Sequence, residues 1–127
     1  MFDLFIHPFF YFIVPIHNNS VGVITSARFP ENYPNGIESA WLIQFKPGQR
    51  IELSFSSFDT EACCDCLRIY DGGSTDSPLI GKYCGASIPP NVVSTSNEMY
   101  LVFESDGTNS RQGFEVEYYN GMVKSFF

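Results

Sequence analysis

Hydrophobic and polar residues alternate along this chain in short runs, and Gly, Pro or Asn closes nearly every run. Trp41, Ile43 and Phe45 fall on one face, with Leu42, Gln44 and Lys46 on the other, the period of two that a half-buried strand requires. Pro47-Gly48 separates this run from a second alternating one, Ile51-Glu52-Leu53-Ser54-Phe55-Ser56, and the pair predicts a hairpin with one apolar and one mostly polar face. Upstream, Val21 to Thr25 is a short β-branched run, followed by the loop Phe29-Pro30-Glu31-Asn32-Tyr33-Pro34-Asn35-Gly36. Its prolines hold the preceding residues extended and Asn35-Gly36 turns the chain. Downstream, Leu67, Ile69 and Tyr70 read as a strand closing on the turn Asp71-Gly72-Gly73-Ser74. Further strands are expected at Leu79 to Cys84, Val92 to Thr95, Met99 to Glu104 and Gly113 to Tyr119, with a polar loop from Ser105 to Ser110. No long stretch repeats apolar residues at helical spacing, so the fold class is all-β, an antiparallel β-sandwich of two packed sheets with Trp41 directed into its core.

A chain of 127 residues supports one domain with one core. Its net charge of −7 is spread without a basic stripe, which argues against nucleic acid and suits divalent cations or basic partner groups. Met1 to Ile16 is apolar and aromatic, but it lacks a basic start and a small-residue cleavage pattern, and Pro8 and Pro15 interrupt it. It also falls short of the roughly 20 residues of a membrane span. Residues 1–17 are therefore expected to be a leader outside the fold, either a degraded signal peptide or a gene-model artefact, with the domain at 18–120 and a tail at 121–127. Asn18-Asn19-Ser20 offers a glycosylation acceptor at Asn18.

Chemistry concentrates in Phe58 to Gly73, which carries Asp59, Glu61, Asp65 and Asp71 together with Cys63, Cys64 and Cys66; the remaining cysteine is Cys84. An even cysteine count with an adjacent pair indicates an oxidising, extracellular compartment. The spacing lacks the paired C-x-x-C arrangement of a zinc site. Asp71, before two glycines, reads as a turn residue rather than a ligand. Arg68 and Lys82 read as solvated strand positions, and His7 and His17 fall in the expected leader. Neither G-x-S-x-G nor H-E-x-x-H occurs, so no enzyme activity is expected.

From about Val21 to Tyr119 the chain closely resembles a CUB domain, the extracellular β-sandwich module of complement and tolloid-type proteases, spermadhesins and many receptors. The resemblance rests on an ordered set: Gly22-Val23-Ile24-Thr25-Ser26, Phe29-Pro30-Glu31-Asn32-Tyr33-Pro34, Trp41-Leu42-Ile43, Phe58-Asp59-Thr60-Glu61, Asp65 through Gly72, Cys84-Gly85, Ser105-Asp106 and Gly113-Phe114. There are departures. The family usually joins an N-terminal cysteine to one two residues before the tryptophan; here that second position is Ser39, and no cysteine precedes Cys63. Three cysteines, Cys63, Cys64 and Cys66, stand where the family sets one against Cys84. Adjacent residues are a poor geometry for a bridge, so Cys63 and Cys64 are expected to have different partners. Either Cys64 joins Cys84, leaving Cys63 and Cys66, or Cys63 joins Cys84, leaving Cys64 and Cys66.

The resemblance implies a calcium site at Glu61, Asp65 and Asp106, completed by the carbonyl of Thr108 and the side chain of Asn109. Calcium takes six to eight hard oxygen ligands, and three converging carboxylates would repel one another unless a divalent ion or a basic partner offset them. Glu61 and Asp65 stand closer in sequence than in typical calcium-binding members. The implied function is non-enzymatic recognition or adhesion outside the cell, with Glu61, Asp65 and Asp106 taking a Lys or Arg from a partner protein. Two alternatives are an accessory piece of a larger secreted protease of the astacin or complement type, and a metal-free, spermadhesin-like glycan binder using exposed aromatics such as Tyr33.

Overall fold

Strands in this protein find their partners far along the chain. A computed structural model describes residues 14–18 and 20–122, and among these residues there are nine strands and no helix: β1 Ile16–His17, β2 Val21–Thr25, β3 Glu38–Gln44, β4 Ile51–Asp59, β5 Cys66–Tyr70, β6 Leu79–Tyr83, β7 Val92–Val93, β8 Glu98–Glu104 and β9 Gly113–Asn120. They form a five-stranded sheet in the order β1-β3-β8-β5-β6 and a four-stranded sheet in the order β2-β9-β4-β7. The β1–β3 pair is parallel and the other pairings are antiparallel.

The expected β3–β4 hairpin does not form. β3 pairs along its whole length with β8, from Glu38 opposite Glu104 to Gln44 opposite Glu98, whereas β4 pairs with β9 in the other sheet. Alternation specifies which face of a strand is buried, not which neighbour satisfies its edge. Pro47-Gly48 therefore carries the chain from one sheet to the other, and the apolar faces of β3 and β4 meet across the core.

Strand pairing also reaches residues upstream of 18. Ile16 and His17 pair with Leu42 and Ile43, the Leu42 N–H donates to the Pro15 carbonyl at 3.1 Å, and His17 Nδ1 lies 3.2 Å from the Tyr118 hydroxyl. The rest of the expected leader, residues 1–13, lies outside the described residues, as do 123–127 of the expected tail.

Inward residues of both sheets make one core, including Ile43, Phe45, Leu53, Phe58, Leu67, Ile69, Leu101, Phe103, Phe114 and Val116. Phe114 is its aromatic centre, meeting Phe103 edge-on at 5.4 Å and Trp41 edge-on at 5.8 Å. Trp41 thus faces inward as its strand pattern predicts, though it is only half-buried. The β2–β3, β4–β5 and β8–β9 connections gather at one end of this core. There the Gly36 N–H donates to the Asp106 carbonyl at 2.7 Å, and the Tyr33 N–H to the Arg111 carbonyl at 3.0 Å.

Candidate metal centre

At that end, Thr60 ties three segments together. Its Oγ1–H donates to the Asp65 carbonyl at 2.8 Å, its Oγ1 accepts the Gly85 N–H at 2.8 Å, and its own N–H donates to the Gly85 carbonyl at 2.8 Å. Between Thr60 and β5 the chain turns tightly, with the Glu61 carbonyl accepting N–H groups from both Cys64 and Asp65 at 3.1 Å. This turn corrects the disulfide expectations. Cys63 is bonded to Cys64, and Cys66 to Cys84, so neither expected pairing occurs. Those pairings treated 63–66 as extended, which puts neighbouring side chains on opposite faces; in the turn Cys63 and Cys64 share a side, and only Cys66, the first residue of β5, faces Cys84.

The turn also resolves the short Glu61 to Asp65 spacing, because reversing the chain brings the two carboxylates to a common point with Asp106. One oxygen from each of Glu61, Asp65 and Asp106 lies within 4.8 Å of the others. Asp65 is fully buried; its Oδ2 accepts the Tyr33 O–H at 2.6 Å and its Oδ1 accepts the Asp106 N–H at 2.8 Å. Glu61 donates its N–H to the Tyr33 hydroxyl oxygen at 3.2 Å, but its Oε1 is buried with no hydrogen-bond partner. Asp106 Oδ1 accepts the Thr108 N–H at 3.2 Å.

The salt bridges among the described residues join Arg68 to Glu104 at 2.8 Å and Arg111 to Asp59 at 3.8 Å, and neither reaches the cluster. Converging carboxylates that no salt bridge among the described residues reaches, one carrying an orphaned buried oxygen, have the donor chemistry that suits a hard divalent cation.

Thr108 and Asn109 stand exposed on the adjoining loop. Thr108 is linked to the cluster through Asp106, and the Asn109 amide is 3.4 Å from Thr108 Oγ1. Asn109 adopts a left-handed φ of 63°, a conformation that Asn tolerates better than most residues.

Tyr33 departs from its expected role as an exposed glycan contact. It is buried, edge-on to Phe103 at 5.0 Å, and its hydroxyl bridges Asp65 and the Glu61 N–H. Burial first, and then the Asp65 hydrogen bond, push the phenol well above its ordinary pKa, so it remains a protonated donor. Its placement between Pro30 and Pro34 carried no signal for this position. Asp71 holds the turn after β5 to the 95–96 loop, accepting the Thr95 O–H at 2.6 Å and the Ser96 O–H at 3.2 Å. Arg68 is engaged by Glu104, while Lys82 and Asn18 are exposed.

A two-sheet, mainly antiparallel sandwich with two disulfides and clustered carboxylates at one end defines a disulfide-bonded β-sandwich module. The family follows from comparison: the CUB domain profile matches residues 15–118, and the chain belongs to that family of non-catalytic protein-interaction modules. It is similar to the zinc metalloproteinase nas-39 of Caenorhabditis elegans, with 41% identity over 105 residues, covering 80% of this chain and 11% of the relative. It is similar also to human cubilin, with 40% identity covering 81% of this chain and 3% of the relative. The chain thus spans a small part of the curated relatives it matches. Among solved structures, the MASP-1 CUB2 domain bound to Ca2+ superposes with a TM-score of 0.75 and 25% identity, covering 83% of this chain and 96% of that one.

Proposed function

We propose that this CUB domain is a calcium-dependent recognition module whose ion is held by Glu61, Asp65 and Asp106, with the Thr108 carbonyl and the Asn109 side chain completing the shell. The observation that carries the reading is the buried Glu61 Oε1 left without a hydrogen bond, beside two further carboxylates that neither salt bridge among the described residues reaches. The similar MASP-1 CUB2 domain bound to Ca2+ supports it. When bound, the ion supplies positive charge that offsets the repulsion between the carboxylates. The chain's own part is to hold Asp65 through Tyr33 and Thr60, and to leave a carboxylate edge at the surface for a Lys or Arg of an extracellular partner protein, a charge-assisted contact. Modest affinity per module is expected, with avidity from several copies. The similarity to the metalloproteinase nas-39 favours a second, compatible reading in which the module belongs to a larger secreted protease. Glycosylation at the exposed Asn18 belongs to the same extracellular picture.

Thermal unfolding in calcium and then in a chelator tests the metal. At about 100-fold excess over Kd the ion adds about 2.7 kcal/mol, or about 10 °C for a domain of this size. Asp106→Ala abolishes that rise and with it calcium-dependent capture on lysine-bearing beads. Equal midpoints in calcium and chelator refute the reading.

A further inference from the structure

We propose that the Cys63–Cys64 disulfide is a reversible thiol–disulfide exchange site and that its oxidation state sets the cation affinity of the acidic cluster; the second half rests on the calcium reading above.

The two disulfides occupy different surroundings. Cys66 is buried at the start of β5 and bridges a sequence separation of 18 to Cys84, next to the Gly85–Thr60 hydrogen bonds. Cys63 and Cys64 are exposed at the tip of the 61–65 turn, with a sequence separation of 1. A bridge between neighbours closes no long loop, so it constrains the unfolded chain little. Its effect is local, because it fixes the torsions on both sides of the Cys63–Cys64 peptide within a small ring. Exposed disulfides are also the ones that exchange most readily.

The ring lies between two members of the cation cluster. The Cys64 N–H that donates to the Glu61 carbonyl at 3.1 Å belongs to the ring's own peptide, so the ring supplies one of the contacts that hold Glu61, beside the Asp65 N–H to the same carbonyl at 3.1 Å and the Glu61 N–H to the Tyr33 hydroxyl at 3.2 Å. Asp65 is held independently by Thr60, Tyr33 and the Asp106 N–H, and Cys66–Cys84 anchors the following strand. Opening the ring therefore loosens the 63–64 turn and the Glu61 side chain, whose Oε1 has no protein partner to retain it, and leaves the fold and the Asp65–Asp106 pair in place.

The chemistry balances with a dithiol as reductant. One of its sulfurs attacks Cys63 or Cys64 Sγ and displaces the other as a thiol; its second sulfur then resolves the mixed disulfide. Two electrons and two protons pass to Cys63 and Cys64, and the reagent leaves as a cyclic disulfide. Coupling of ordinary size weakens calcium binding about ten-fold in the reduced protein. By linkage, calcium then makes the disulfide about ten-fold harder to reduce, a shift of about 30 mV to more negative potential.

The test uses the intact oxidised protein. Limiting dithiothreitol followed by iodoacetamide and peptide mass mapping is expected to label Cys63 and Cys64 while Cys66 and Cys84 stay bridged. Labelling of Cys66 and Cys84 first or at the same rate, or a different pairing in untreated protein, overturns the proposal. Amide hydrogen exchange over 61–66 in chelator is expected to accelerate on this selective reduction, and unchanged exchange overturns it as well. Calcium titrations then compare oxidised, selectively reduced and Cys63→Ser/Cys64→Ser protein; the reduced wild type serves if the double variant does not fold. Equal affinities overturn the coupling. If the oxidised protein itself does not respond to calcium, the metal reading fails alone, and labelling order and exchange still decide whether 63–64 is a redox-responsive turn.

Discussion

Removing a single oxygen, by Tyr33→Phe, tests whether the acidic end is organised from inside. The ring of Tyr33 is buried and packs edge-on to Phe103 at 5.0 Å, and phenylalanine keeps that contact. The hydroxyl donates to Asp65 Oδ2 at 2.6 Å and accepts the Glu61 N–H at 3.2 Å; both bonds disappear. A hydrogen bond to a charged group contributes about 1.5–3 kcal/mol, and an orphaned buried N–H costs about 1 kcal/mol more. The expected loss is therefore about 3 kcal/mol, a fall in midpoint of about 12 °C for a domain of this size. Urea titration read by Trp41 fluorescence, in chelator so that metal plays no part, measures it through the midpoint at constant m-value. A loss below about 1 kcal/mol, the centre of the range for point substitutions in general, would refute the argument that the Tyr33 hydroxyl organises the acidic end.

Two further outcomes follow from the same geometry. Replacing Cys66 and Cys84 together by Ala is expected to cost about 3 kcal/mol by the loop-closure relation, against about 1 kcal/mol for the Cys63 and Cys64 pair, with both measured in non-reducing urea melts. Burial pulls Asp71 upward, but its hydrogen bonds from Thr95 and Ser96 more than offset this and lower its pKa below the ordinary 3.8. Its stabilisation is thus complete above that value and is lost as pH falls through the lowered one, so urea midpoints of Asp71→Asn should fall less steeply than wild type below about pH 4.

How legible this was in the sequence depended on range. The strands were readable because alternation is local: Trp41, Ile43 and Phe45 do face the core. Pairing was not, because Pro47-Gly48 looks the same whether it closes a hairpin or carries the chain between sheets, and only the distant β8 and β9 decide. Ile16 and His17 looked like the end of a leader because two residues show no period; their place comes from the Leu42 and Tyr118 contacts. The family resemblance singled out Glu61, Asp65 and Asp106, yet their convergence depends on a turn defined by hydrogen bonds to the Glu61 carbonyl. The same turn explains the cysteine error, since an extended 63–66 forbids the pairing that a reversed chain permits. Tyr33 was misjudged because a proline-flanked aromatic looks like a loop tip, whereas its burial follows from the loop folding back on Arg111 and Asp65.

The three carboxylates are held unequally, and this separates metal binding from stability. Asp65 is bonded at both oxygens, so Asp65→Ala orphans the Tyr33 hydroxyl and the Asp106 N–H and costs stability even without metal. The Asp106 backbone is fixed by its N–H and by its carbonyl, which accepts the Gly36 N–H at 2.7 Å. Glu61 alone presents a buried oxygen with no partner, so its charge is a liability in the metal-free domain and useful only to a cation. Glu61→Gln keeps the shape and removes that charge. In chelator its urea midpoint should equal or slightly exceed that of the wild type, while calcium affinity by titration calorimetry should fall about ten-fold or more, because calcium sites are tuned by the number of charged ligands. A variant that lost stability in chelator and kept its calcium affinity would mean that Glu61 supports the turn and is not a ligand, and that the ion is held by Asp65 and Asp106 without it.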